Sequence, residues 1–164
     1  MPAVGIVMGS DSDWPKIRGA ATALEEFGVE YEVRVMSAHR TPNLVEEYAK
    51  TASDRGIRVL IAAAGGAAHL AGVIASHTVL PIIGIPVATE LAGGLDSLLS
   101  MVQMPGDIPV AVVGTNGGGP RNAGLLAVEI LAVCDKPLSE KLLAFRKKLI
   151  EKVCVKDAKL RNSL

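Results

Sequence analysis

The stretch VGIVMGSDSDWP, residues 4–15, decides the fold class, because an apolar run is followed by a polar loop and then by a helix start. The run Val4–Met8 has the length and composition of a buried strand. Pro15 suits the first turn of a helix, whose N–H groups have no intrahelical partner. One face of the following helix carries the apolar residues Ile17, Ala21, Leu24 and Phe27. Gly28 then ends it, so the stretch predicts a strand, loop and helix unit.

The same unit recurs along the chain. Tyr31, Val33 and Val35 alternate with charged residues as a second strand, and a helix that begins at Thr41-Pro42 fades near Gly56. Further apolar runs predict strands over Arg58–Ala64, Leu80–Ile85 and Val110–Val113. Strands joined by helices in such short units form a parallel sheet with right-handed crossovers. We therefore predict an α/β fold, a three-layer αβα sandwich on a doubly wound parallel sheet, with ligands bound beyond the carboxyl ends of the strands.

A chain of 164 residues is long enough for one α/β domain and too short for two, so we expect a single domain over residues 1–164. Its end differs from the rest. Apolar residues recur there at helical spacing, namely Leu142, Phe145, Leu149 and Val153. They predict a long terminal helix and tail over about residues 138–164, with its basic face in solvent and its apolar stripe against a neighbouring subunit.

The charge balance argues against a nucleic-acid partner. Lys and Arg total 17 and Asp and Glu total 17, and no basic stripe is interleaved with aromatic residues. No transmembrane run or signal peptide is visible, which predicts no membrane partner. Cys134 and Cys154 show neither metal-ligand nor redox spacing. We expect a cytoplasmic protein with free thiols, whose partners are small molecules or protein surfaces.

Two loops carry groups suited to a phosphorylated ligand. Ser10 and Asp13 lie where a strand meets a helix N-terminus, whose free N–H groups and hydroxyls suit a phosphate or a ribose hydroxyl. The alternative is that Ser12 or Asp13 merely caps the helix. Ser37 and Arg40 add a hydroxyl and a guanidinium in the next such loop. For Arg40 the alternative is a surface ion pair.

Two histidines accompany these loops. His39 lies between Ser37 and Arg40, where an imidazole can give and take a proton near neutral pH. His69 follows a Gly-Gly-Ala-Ala run, and it either donates a hydrogen bond to a ligand or orients that loop. His77 has no such neighbours in sequence and is expected to be structural or exposed.

Six motifs, in order between residues 4 and about 132, closely resemble the N5-carboxyaminoimidazole ribonucleotide mutases of purine biosynthesis, the small PurE-type family. These motifs are Met8–Asp13, Ser37–Pro42, Ala64–Leu70, Leu95–Ser100, Val102–Pro105 and Asn122-Ala123. The resemblance implies a flavodoxin-like fold assembled as a homo-octamer, without a metal or an organic cofactor. It also implies that a carboxylate moves from the exocyclic amine carbamate of a ribonucleotide to C4 of its imidazole, which gives 4-carboxy-5-aminoimidazole ribonucleotide.

The resemblance assigns a role to each candidate residue. Phosphate and ribose would be held by Ser10, Asp13, Ser37 and Arg40. The segment Gly65–Leu70, with Gly66, His69 and Leu70, would enclose the imidazole and the released carbon dioxide. His39 would be the catalytic proton carrier.

The chain also departs from the family pattern. Ala71 stands where a proline commonly follows the His-Leu pair, so we expect a less rigid helix start there. Gly117–Arg121 replaces a more alanine-rich loop.

Three alternatives remain. A second branch of the family carboxylates aminoimidazole ribonucleotide with free carbon dioxide; it typically has lysine in place of Arg40 and lacks the run that ends at His69, so these two residues favour the mutase. A non-catalytic flavodoxin-like nucleotide-binding module would leave His39 idle. The third alternative is a related carboxylase that acts on another nucleotide. Carboxylases of that class carry an extra N-terminal region.

Overall fold

The computed structural model describes residues 1–164 as strands and helices that alternate along the chain. The strands are β1 (Val4–Met8), β2 (Tyr31–Val35), β3 (Val59–Ala64), β4 (Ile82–Pro86) and β5 (Ala111–Val112). The helices are α1 (Trp14–Ile17), α2 (Gly19–Phe27), α3 (Pro42–Thr51), α4 (Leu70–Ala75), α5 (Leu95–Val102), α6 (Gly118–Ala132) and α7 (Lys136–Arg161). Short 3-10 turns cover Asp11–Asp13 and Leu91–Gly93.

All five strands are parallel, in the order β2-β1-β3-β4-β5. This flavodoxin-like order confirms the predicted fold class. The residues of β1, β3 and β4 are fully buried because helices cover both faces of the sheet. On one face, Ile6, Ile61 and Ile83 pack with α2, α6 and the start of α7. On the other face, Val7 and Leu60 pack with α3, α4 and α5, which completes the three layers.

The helix predicted after the first loop is divided into α1 and α2. Arg18 separates them, although its φ of −53° and ψ of −24° are helical and its N–H donates to Trp14 O at 3.0 Å, the spacing of an α-helical bond. Beyond Arg18, α2 continues to Gly28, whose φ of +72° gives the left-handed cap that glycine adopts without strain. The predicted helix and its stop at Gly28 are therefore confirmed, with a division into two segments at Arg18.

The expectation of a loop over Gly117–Arg121 was wrong, because α6 begins at Gly118. Asn116 Oδ1 accepts hydrogen bonds from the N–H groups of Gly118 (3.1 Å) and Gly119 (3.2 Å), which caps the helix. Glycine has a low helix propensity, but close packing at the start of α6 requires it. A Cβ on Gly119 would lie 1.7 Å from Gly114 O, so only glycine fits.

Helix α7 confirms the predicted terminal helix and begins two residues before Leu138. Asp135 caps it by accepting from Leu138 N–H at 2.9 Å. Its first turns pack on the core through Leu138, Leu142 and Phe145, whose ring contacts Phe27 edge to face at 5.5 Å. The expectation that the whole apolar stripe lies against a neighbouring subunit was therefore wrong for Leu142 and Phe145, which cover this chain's own core. The helix has 26 residues, or about 39 Å, and its second half is exposed. None of the helices combines the length and apolar character that crossing a membrane requires.

Candidate active site

A cleft lies at the carboxyl ends of β1, β2 and β3, where the chain leaves β1 toward one side of the sheet and later returns to β3 on the other. This is the position at which open parallel sheets of this order bind ligands. Three loops, which follow β1, β2 and β3, surround a cavity of about 470 Å³. Its lining consists of Gly9, Ser10, Asp13, Ser37, Ala38, His39, Arg40, Ala64, Gly65, Ala67 and Leu70.

The cleft brings together all the candidate residues except two. Ser10, Asp13, Ser37, His39, Arg40 and Leu70 line the cavity. Gly66 and His69 do not line it, although they belong to the loop that forms one wall. His77 lies beyond α4 and outside the cavity lining, as expected for a residue without a role in the site.

In the first loop, Ser10 caps the 3-10 turn Asp11–Asp13. The alternative, in which Ser12 or Asp13 provides the cap, was wrong. Ser10 Oγ accepts from Ser12 N–H at 3.3 Å, and Asp11 Oδ1 accepts from the same N–H at 3.0 Å. The Asp13 carboxylate makes no cap hydrogen bond, so it remains available at the cavity. Burial raises its pKa above the usual value, and the nearby Lys16 partly offsets that rise.

The second loop is a compact turn built on two hydroxyl groups. Ser37 Oγ accepts from the N–H groups of His39 (3.3 Å) and Arg40 (3.2 Å). Thr41 Oγ1 donates to Ser37 O at 3.1 Å and accepts from Ser37 N–H at 2.9 Å. These bonds fix the backbone that carries His39 and Arg40.

Arg40 joins the second loop to the first. Its Nη2 donates to Gly9 O at 3.1 Å, and it takes part in no ion pair. The alternative of a surface ion pair is therefore wrong for this residue. Because no carboxylate neutralises the guanidinium, it offers a positive charge and further donors at the wall of the cavity.

The two histidines contact each other directly. His39 Nε2 and His69 Nδ1 lie 2.8 Å apart, with ring centroids 4.9 Å apart and planes at 82°. One ring donates and the other accepts, according to the tautomer. His69 thus meets the His39 ring itself, a contact that neither of its two expected roles included. Both imidazoles are exposed to solvent, and His39 also lines the cavity.

Two serines of α5 form hydrogen bonds with the backbone of the third loop. Ser97 Oγ accepts from Gly66 N–H at 2.9 Å and donates to Val87 O at 2.7 Å. Ser100 Oγ accepts from Ala68 N–H at 2.9 Å and donates to Gly66 O at 3.0 Å. The resemblance assigns no role to the two serines of the motif Leu95–Ser100. Their spacing of three residues, which sets two hydroxyls on one helix face, is the signal that could have found them.

The cleft contains a guanidinium without an ion-pair partner, hydroxyl and carboxylate oxygens, the imidazole of His39 with its His69 contact, and small apolar side chains. It can hold an anion and move a proton beside it. No group of three or more His, Cys, Asp or Glu residues is placed to hold a metal ion. Ala71, at the position where proline was expected, is fully buried in α4, which still begins at Leu70.

Comparison with known proteins gives a consistent result. The sequence model of the family described as AIR carboxylase matches residues 3–152. N5-carboxyaminoimidazole ribonucleotide mutase of Mycobacterium tuberculosis (strain H37Rv) is 53% identical over 161 residues, 98% of this chain and 91% of that protein. The Pyrococcus abyssi protein of the same name is 57% identical over 146 residues, 89% of this chain and 83% of that protein.

A solved structure shares the fold of this chain. The crystal structure of Treponema denticola PurE superposes with a TM-score of 0.88 at 31% sequence identity, and the match covers 98% of this chain and 99% of that one. Fold and sequence thus agree over nearly the whole length, and the chain belongs to the AIR carboxylase family.

Proposed function

We propose that this chain is an N5-carboxyaminoimidazole ribonucleotide mutase of purine biosynthesis. It moves a carboxylate from the exocyclic amine carbamate to C4 of the imidazole and gives 4-carboxy-5-aminoimidazole ribonucleotide. The observation that carries the proposal is the contact between His39 and His69 at a cleft that also holds the unpaired Arg40. Relatives that are 53% and 57% identical and bear the mutase name support it.

The nucleotide binds by its polar half against the first two loops. Arg40 and Ser37 meet the phosphate, because a guanidinium without a carboxylate partner is suited to an anion. Ser10 and Asp13 meet the ribose, whose hydroxyls can donate to the free Asp13 carboxylate. The imidazole then lies toward Gly66 and Leu70, beside the histidine pair.

His39 carries one proton through the reaction. Protonated His39 gives its proton to the exocyclic nitrogen as the bond from that nitrogen to the carboxyl carbon breaks, which leaves an amine, carbon dioxide and neutral His39. The electron-rich C4 attacks the carbon dioxide and forms the new carbon–carbon bond. Neutral His39 then removes the proton from C4, which restores the aromatic ring and the protonated imidazole. Atoms, charge and the state of His39 are the same at the end of each cycle.

Retention of carbon dioxide separates a mutase from a decarboxylase. The wall formed by Ala64, Ala67 and Leu70 offers small apolar surfaces against which a neutral molecule can stay between the two bond changes. The branch that uses free carbon dioxide typically has lysine where this chain has Arg40. This feature and the intact run through His69 favour the mutase over that carboxylase and over a module that does no chemistry.

The proposal is tested by incubating the purified chain with synthetic carbamate substrate and following the ultraviolet absorption of the carboxylated imidazole. Turnover without added bicarbonate or any cofactor is the expected result. A chain that binds the nucleotide and leaves it unchanged would support the non-catalytic module.

Replacing Arg40 with alanine is expected to weaken nucleotide binding by about 1.5–3 kcal/mol, because charge-assisted hydrogen bonds to the phosphate are lost. Calorimetric titration with the product nucleotide measures the change. Arg58→Ala is the matched control, since Arg58 immediately precedes β3 at the opposite edge of the sheet. Equal affinities of the two variants would give Arg40 a purely structural role through its bond to Gly9 O.

We also propose that the chain assembles as a homo-octamer in the cytoplasm. Support comes from apolar side chains left in solvent on α5 and on the second half of α7, namely Leu95, Leu99, Val102, Ile150, Val153, Val155 and Leu160. So many exposed apolar groups on two helices are typical of subunit interfaces. Both cysteines are free, as suits a reducing compartment.

Light scattering at micromolar concentration is expected to give eight times the mass of the 17.0 kDa chain, because burial of these side chains between copies stabilises the assembly. A monomeric mass would contradict the assignment of these surfaces to subunit contacts.

A further inference from the structure

The hydrogen bonds of the third loop divide its N–H groups into two sets. Gly66 N–H and Ala68 N–H are bound by the hydroxyls of Ser97 and Ser100, both at 2.9 Å. The N–H groups of Gly65 and Ala67 have no partner within the chain. Gly65 and Ala67 both line the cavity, so the unbonded N–H groups belong to the residues that a ligand would meet.

The serines also fix the peptide between these residues. Ser100 Oγ donates to Gly66 O at 3.0 Å, so Gly66 is bonded to α5 through both its N–H and its carbonyl. Gly66 has φ of +67°, a conformation that needs such support and that favours glycine. A loop held in this way keeps its donors in one arrangement throughout a reaction, without the cost of reorienting them.

Helix α5 is itself held in position by hydrogen bonds. Ser97 is fully buried and donates to Val87 O, just beyond the end of β4, at 2.7 Å. Thr89 Oγ1 donates to Asp96 Oδ1 at 2.6 Å, and this bond lowers the pKa of the Asp96 carboxyl below its usual value. The first turn of α5 is thus tied at two points to the segment that follows β4.

We propose that Ser97 and Ser100 are positioning residues that hold the third loop so that the N–H groups of Gly65 and Ala67 receive an oxygen of the carboxyl group in transit. The same bonds keep His69 against His39, because His69 directly follows Ala68. The inference rests on the proposed function and deepens it, since it identifies what holds the carbon dioxide subsite in shape. Two amide donors at a developing carboxylate stabilise the charge that appears when C4 attacks carbon dioxide.

The test compares Ser100→Ala with Ser76→Ala, using carbamate substrate labelled in its carboxyl carbon. Both changes remove one serine hydroxyl that donates to a backbone carbonyl, but Ser76 bonds Val73 O at the exposed end of α4. For Ser100→Ala we expect kcat to fall roughly 10- to 100-fold with little change in KM, since the groups that bind the phosphate and ribose lie on the first two loops. We also expect a larger fraction of the label to escape as carbon dioxide, which leaves the amine. Ser76→Ala keeps the wild-type kcat and label retention.

Further variants keep the test decisive. Ser100→Thr retains the hydroxyl and is expected to restore retention, whereas general damage to the fold would not be rescued in this way. Ser97→Ala, assayed beside them, is expected to leak label like Ser100→Ala, provided that its thermal unfolding shows a folded protein. If the wild type retains label and both alanine variants retain it equally, the positioning role is wrong while the mutase function stands. If the wild type shows no turnover, the proposed function itself is wrong.

Discussion

Replacing His39 with asparagine is expected to lower turnover of the carbamate substrate by about a hundredfold or more while the nucleotide still binds. Asparagine keeps a polar side chain of similar size and leaves the backbone bonds of the turn to Ser37 intact. It cannot carry the proton that the exocyclic nitrogen gains and C4 loses. A positioned general acid–base group contributes about 10²- to 10⁴-fold to a rate, so the loss belongs in kcat.

Steady-state kinetics and calorimetric titration with the product nucleotide together check this expectation. His77→Asn is the matched control, because it makes the same chemical change outside the cavity lining and is expected to leave kcat unchanged. Near-normal turnover of His39→Asn would remove His39 from the proton transfers and leave the contact with His69 as a structural feature only.

Replacing Gly119 with alanine is expected to destabilise the fold by about 3 kcal/mol or more, at or beyond the top of the range for overpacking. The added Cβ would lie 1.7 Å from Gly114 O, and a backbone carbonyl cannot move aside as a flexible side chain can. Gly117→Ala is the control within the same segment, since nothing lies within 4 Å of its Cβ and its φ is −58°. We expect that change to lie within about 0.5 kcal/mol of wild type.

Urea denaturation at a fixed protein concentration measures both variants, because the stability of an oligomer depends on concentration. Equal midpoints for Gly119→Ala and Gly117→Ala would contradict the close approach of the start of α6 to the turn at Gly114.

The sheet could be predicted because each central strand is a local apolar run whose burial does not depend on distant detail. The runs at Val4–Met8 and Val59–Ala64 are of this kind, and their structural bounds match the prediction to within one residue. The start of α6 could not be predicted in the same way. Its glycines are selected by contact with Gly114 O, and glycine alone indicates a loop.

The candidate site could likewise be predicted only in part. The loops with Ser10 and Ser37 follow strands, and parallel strands end at one edge, so their meeting in one cleft followed from the topology. The contact of His39 with His69 and the bond of Ser100 to Ala68 join residues about 30 apart in sequence. These contacts depend on the relative placement of separate elements, which no local pattern specifies.

In the proposed reaction the carboxyl group passes from nitrogen to carbon inside the site. The most direct measurement uses substrate labelled in the carbamate carbon, with excess unlabelled bicarbonate in solution, and determines the label in the isolated 4-carboxy-5-aminoimidazole ribonucleotide. We expect the product to keep the label, and the amine plus bicarbonate to be turned over poorly in comparison with the carbamate. Essentially complete loss of label to the bicarbonate pool, with turnover of the amine at least as good, would contradict the mutase and assign the chain to the carboxylases that use free carbon dioxide.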